Sequence, residues 1–122
     1  MPFVLRMTAR LPPDKEAEFV NAPWTESLEG DGKIPNVAAA TIACLASKNI
    51  KSQYHLVGKF LACKEKGDNT QQRCDKFVAF LDECGVNKSL QSVITYAMAK
   101  KLDRTFPGFF VATECVSGED EE

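Results

Sequence analysis

The stretch IPNVAAATIACLASKNI occupies residues 34–50 and determines which fold class we expect. Pro35 and Asn36 are typical of a tight turn, and the alanine-rich run after them predicts a helix over about 37–48, closed by Asn49. The first amides of a helix have no acceptor within the helix, and they readily bind anions such as phosphate. The stretch therefore predicts either a site for the nucleic-acid backbone or an ordinary corner between two helices.

The residues of this turn allow a close approach of the backbone to a ligand. Pro35 fixes the backbone where the turn begins, Asn36 tolerates a positive φ better than other non-glycine residues, and Ala38 is small. Lys33 precedes the turn and Lys48 follows the helix, so we expect both near a bound phosphate. Five lysines and one glutamate lie between residues 48 and 66, a pattern that also fits the solvated faces of two helices.

Apolar spacing predicts four further helices, and the expected fold is an all-α, compact bundle of about five helices. These helices cover about 15–21 with Asp14 as cap, 52–65 with Ser52 as cap, 70–84 closed by Gly85, and 89–104. Lys100, Lys101 and Arg104 lie near the end of the last helix, where positive charge complements the helix dipole. We expect an N-terminal arm over 1–13, a helical domain over 14–112 and an acidic, disordered tail over 113–122.

Size and charge suit one globular domain but do not identify its partner. The chain has 122 residues and a formal net charge of -2, and removing the four negative charges of residues 119–122 leaves +2. No apolar stretch approaches the ~18 residues of a membrane helix, so we expect no membrane insertion. The five cysteines form no Cys-x-x-Cys, and we expect reduced, structural thiols in a nuclear or cytoplasmic protein.

Residues for catalysis are sparse, and we expect no enzymatic activity, no cofactor and no metal. The single histidine, His55, lies beside an apolar helical stripe, and we interpret it as structural. Asp82 and Glu83 end a helix, where solvated carboxylates are expected rather than a catalytic pair. A pocket lined by His55, Tyr54 and a carboxylate would be needed for an enzyme.

The stretch 34–45, followed by Lys48-Asn49-Ile50, resembles a helix-hairpin-helix motif, in which a proline precedes glycine, an apolar residue and glycine. The runs 19–24, 54–61 and 84–87 are similar to segments of the barrier-to-autointegration factor family, in the same order. The resemblance spans about residues 14–106, and its most specific piece is the Leu-x-Gly-x-Phe-Leu run at 56–61. It implies a SAM-like helical domain.

The same resemblance implies a homodimer that binds double-stranded DNA without sequence preference, bridges two duplexes and recruits protein partners. In this family the hairpin amides hold phosphate, which corresponds here to Asn36, Val37 and Ala38. Asn36 and Ala38 replace both glycines of the motif, and a side chain at each position keeps a phosphate further from the backbone. The alternative is a homo-oligomeric protein-interaction module on the same scaffold that has lost phosphate binding.

Overall fold

The part of the chain that the computed structural model describes contains five α-helices. The structure describes residues 3, 13–28, 34, 37, 39–63, 67–111 and 114. In chain order the helices are α1 (Pro13–Asn21), α2 (Ala39–Ala46), α3 (Gln53–Ala62), α4 (Thr70–Cys84) and α5 (Lys88–Thr105). These residues include no β-strand, which confirms the expected all-α class.

Helix α4 has its predicted bounds because strong local signals mark both of its ends. The Asn69 side chain accepts a hydrogen bond from the Gln72 N–H, and the Gln72 side chain accepts one from the Asn69 N–H, both at 2.9 Å. These two bonds form a capping box. At the other end Gly85 takes a left-handed conformation with φ 90°, which ends the helix.

The other helices pack around α4 and α5. Helix α5 packs against α4 and α1, whereas α2 and α3 each pack against α4. The Phe60 ring of α3 stacks on the Phe77 ring of α4 with 4.2 Å between ring centroids. Both rings are fully buried, together with Leu56, Leu81 and Ile94. The side chains of α4 therefore form the centre of a single hydrophobic core.

The ends of α1, α2 and α3 differ from those predicted, whereas α5 lies within one residue of its predicted range at each end. Helix α1 begins at Pro13, so Asp14 lies in the first turn and does not act as the cap. Helix α2 runs over Ala39–Ala46. It begins two residues later than predicted because Val37 belongs to the preceding turn, and it ends two residues earlier than predicted. Helix α3 ends at Ala62, and the predicted cap is confirmed, because the Ser52 side chain accepts from the His55 N–H at 3.1 Å.

Lys101, which was expected to complement the dipole at the end of α5, is buried. Its side chain is 2% exposed, and its Nζ donates to the Pro23 carbonyl oxygen at 3.2 Å. The same nitrogen lies 4.3 Å from the ring centroid of Phe19 and 4.4 Å from that of Trp24. Lys101 is therefore an internal contact between α5 and the segment that contains α1.

Two residues near the ends of the chain contact α4. Phe3 is buried, and its N–H donates to the Asp75 carboxylate at 2.8 Å. The Glu114 carboxylate accepts from both the N–H and the hydroxyl of Thr70, at 2.8 and 2.7 Å. The remaining residues of the predicted arm, except Pro13, and of the predicted tail lie outside the described residues.

Candidate nucleic-acid interface

The predicted turn before α2 is closed by a backbone hydrogen bond. The Val37 N–H donates to the Ile34 carbonyl oxygen at 3.3 Å, the spacing of a four-residue turn. Both side chains are buried in the core, so apolar packing holds the turn in position. Residues 22–28, which precede it, are not helical, and residues 29–33 lie outside the described part of the chain. The structure therefore supports the turn and the helix after it, whereas the described residues between α1 and the turn, 22–28, contain no further helix.

Helix α2 presents its first turn to solvent. Ala39 and Ala40 are exposed, whereas Thr41 is buried against the core. The first amides of a helix lack intrahelical acceptors and carry partial positive charge. Because the alanine side chains are single methyl groups, an anion reaches this backbone with little steric hindrance.

Of the five predicted contact residues, the structure places Val37 and Lys48. Lys33, Asn36 and Ala38 lie outside the described residues, so these contacts stay predictions. Val37 has a buried side chain and an N–H that closes the turn, which leaves the amides after it to meet a phosphate. Lys48 is exposed beyond the far end of α2, a helix about 12 Å long. The turn and Lys48 therefore mark opposite ends of this helix.

The end of α2 is fixed by two backbone hydrogen bonds around Asn49, as the sequence predicts. Asn49 has φ 65°, its N–H donates to Ala46, and the Ile50 N–H donates to Leu45, both at 3.0 Å. This pattern is a Schellman motif with asparagine in the left-handed position. Ile50 and Leu45 are both buried. The motif fixes the backbone on both sides of the exposed Lys48.

The start of α3 holds a second exposed lysine and the single histidine. The His55 imidazole is exposed, and its Nδ1 accepts a hydrogen bond from the Lys51 N–H at 3.1 Å. This hydrogen bond holds the backbone before α3 in place, which is consistent with the structural role predicted for His55. Lys51 is one of the five lysines between residues 48 and 66 but was not among the predicted contacts. Its place in the loop between α2 and α3 is the signal that could have identified it.

One face of α3 exposes apolar side chains. Tyr54 is 53% exposed and Leu61 is 39% exposed, two turns apart on the same face. Gly58 lies between them, and a Cβ built on it would meet no atom within 4 Å. The Tyr54 hydroxyl donates to the Trp24 carbonyl oxygen at 3.2 Å, which fixes the orientation of the ring. Leu61 ends the apolar run at 56–61, but its side chain is exposed whereas those of Leu56 and Phe60 are buried.

Within the described residues no group of three or more metal-ligating side chains is present. A pocket of about 210 Å³ lies beside Arg73, between α4 and the turn at 106–109. Its other lining residues are Phe106, Pro107, Gly108 and Phe109. The His55 side chain does not line it, and neither does any carboxylate. This pocket therefore does not supply the site that an enzyme based on His55 would need.

No helix within the described residues is both long and apolar enough to span a membrane. Comparison with protein-family models, with curated protein sequences and with solved structures found no match to this chain.

Proposed function

We propose that this chain is a non-enzymatic protein that binds double-stranded DNA without sequence preference, through the start of α2. The observation that carries the proposal is the tight turn at Ile34–Val37, closed by a hydrogen bond and leading into a helix whose first turn is exposed. Backbone amides at such a position bind phosphate oxygens, which are the same at every step of a duplex. Binding through phosphate alone carries no sequence preference.

Exposed lysines near the α2–α3 loop extend this proposed interface. Lys48 and Lys51 are both exposed, and the hydrogen bonds around Asn49 and His55 fix the backbone that carries them. Lysines that neutralise phosphates release bound counterions, so the affinity for a duplex should fall as salt rises. We propose that Lys48 contacts the backbone of the duplex together with Lys33 and the amides at the start of α2.

The test is the fluorescence anisotropy of a short labelled duplex at about 50 mM and about 200 mM salt. The decisive variant is Ala40→Asp. An acidic residue in the first turn of a helix interacts favourably with the helix dipole but repels a phosphate. The affinity for the duplex should therefore fall about tenfold, whereas the stability of the fold should be kept. Ala79→Asp adds the same charge at an exposed position of α4 and is the matched control. Absence of binding at low salt, or equal affinities for the two variants, would exclude this function.

The second candidate is a homo-oligomeric protein-interaction module, and the exposed face of α3 favours it. Tyr54, Gly58 and Leu61 present apolar surface with room for the backbone of another helix to approach. We propose that two copies associate through this face, whether or not the start of α2 binds DNA. Leu61→Glu should convert a dimer into a monomer by light scattering, whereas Ala79→Glu should not. A wild-type protein that is monomeric at about 100 μM would exclude this candidate.

A further inference from the structure

Where α2 packs against α4, the thiol of one cysteine contacts the residue that follows a second cysteine. Cys44 of α2 is partly exposed, and its thiol donates to the Gly85 carbonyl oxygen with 3.4 Å between sulfur and oxygen. Cys84 is buried and immediately precedes that glycine. The Cys44 thiol of α2 therefore contacts the residue directly after Cys84, at the end of α4.

The backbone at Gly85 brings the Cys44 sulfur close to the end of α4. Gly85 has φ 90°, and a Cβ built on it would lie 3.7 Å from the Cys44 sulfur, in ordinary van der Waals contact. Because Gly85 has no side chain, the Cys44 sulfur contacts the backbone of the residue that follows Cys84. The residue after the turn, Val86, is buried and donates its N–H to Leu81 at 3.1 Å, which fixes the turn.

The charges around Cys84 agree with this geometry. Burial raises the pKa of the Cys84 thiol; Lys48 opposes this, whereas Glu83 and then Cys44 raise it further. The two thiols thus lie within electrostatic range of each other. Lys48 lies four residues after Cys44, just beyond the end of α2, and its positive charge acts on the Cys84 thiol.

We propose that Cys44 and Cys84 are a thiol modification site, which forms a reversible disulfide by exchange with a small-molecule disulfide. The Cys44 thiolate attacks one sulfur of the small disulfide, forms a mixed disulfide and releases one small-molecule thiolate. The Cys84 thiolate then attacks the Cys44 sulfur, forms the protein disulfide and releases the second small-molecule thiol. Two protein thiols are oxidised, one small disulfide is reduced to two thiols, and the two protons pass to the released thiolates.

The exposure of the two residues sets the order of these steps. Cys44 is the partly exposed member and meets the small disulfide first, whereas the buried Cys84 is reached only from within the protein. The product would join α2 to the last residue of α4. A covalent link between parts of the chain so far apart in sequence restricts the unfolded state and raises thermal stability.

The experiment equilibrates the full chain with oxidised glutathione, alkylates the remaining thiols and maps the linked peptides by mass spectrometry. We expect one product that joins Cys44 to Cys84, a loss of two of the five free thiols, reversal by dithiothreitol and a rise in Tm of about 5 °C or more. Cys44→Ser and Cys84→Ser should each abolish the link and the rise in Tm, whereas Cys63→Ser should keep both.

The wild-type peptide map tests the proposal even where a variant folds poorly. Recovery of another cysteine pair as the main product would overturn the proposal. So would recovery of five alkylated cysteines from protein that circular dichroism shows to be folded. Neither result depends on DNA binding, because the readouts are a covalent bond and a melting temperature.

Discussion

Lys101 is a buried amine whose positive charge is stabilised by contacts with two aromatic rings and one carbonyl oxygen. Burial, with a smaller effect of Arg104, lowers the pKa of Lys101 from 10.5 to about 8. Below pH 8 the folded and unfolded chains both hold the proton, so the folded protein carries the full cost of the buried charge. Between the two pKa values only the unfolded chain stays charged, so the free energy of unfolding should rise with pH, by at most about 1.4 kcal/mol per pH unit.

Lys101→Met should remove this rise while keeping the packing against Phe19 and Trp24. Urea unfolding of the wild type and of Lys101→Met under reducing conditions, at about pH 7.5, 8.5 and 9.5, gives the difference between their free energies of unfolding at each pH. Burial also raises the pKa of Cys63 and Cys84, which lowers stability at alkaline pH, but this contribution cancels in the difference. Lys100→Met, one residue earlier, should retain the pH dependence of the wild type. A constant difference between wild type and Lys101→Met would contradict the argument.

At the scale of single elements, the end of α2 depends on the left-handed conformation of Asn49. A side chain with a Cβ is strained at φ 65°, and asparagine tolerates that conformation better than alanine. Asn49→Ala should therefore lower the free energy of unfolding by about 1 kcal/mol, whereas Asn49→Gly should keep or raise it. Denaturant unfolding of the three proteins provides the measurement. Equal losses for the alanine and glycine variants would show that the asparagine side chain, rather than the backbone conformation, is what matters.

The start of α4 is tied to Glu114 by hydrogen bonds. Hydrogen bonds from the side chain and the backbone of Thr70 lower the pKa of Glu114 below its ordinary 4.5. The positive charge of Arg73 lowers it further. A carboxylate with a lowered pKa stabilises the fold above its unfolded pKa and loses that effect as pH falls. The Tm difference between wild type and Glu114→Gln should therefore shrink between about pH 5.5 and about pH 3. Glu83→Gln, at an exposed position of α4, is the control, and its Tm difference should vary less over this range.

Local sequence signals predicted the elements whose ends they mark. The bounds of α4 follow from Asn69 and Gly85, and the end of α2 follows from Asn49, because caps act within a few residues. The contact of Lys101 with Pro23 joins residues 78 positions apart, and no local pattern carries that information. The same holds at the candidate site, where the sequence predicted the turn but not that the Val37 N–H would be used to close it.

At the scale of the whole molecule, the two proposed surfaces lie on different helices. The proposed phosphate site is at the start of α2 and the exposed apolar face is on α3, and each helix packs separately against α4. A substitution at one surface should therefore leave the other intact. If two copies associate through α3, the pair carries two phosphate sites, one from each copy, and can hold two duplexes at once.

A bridging assay with two duplexes tests the two surfaces independently. Two duplexes that carry a donor and an acceptor dye should show energy transfer with the wild-type protein. Leu61→Glu should lose the transfer but keep its affinity for one duplex within about threefold, because each copy still has its own phosphate site. Ala40→Asp should weaken single-duplex binding about tenfold and reduce the transfer with it, although its mass by light scattering stays that of the wild type. Energy transfer that persists in a monomeric Leu61→Glu protein would show that bridging does not arise from the α3 face.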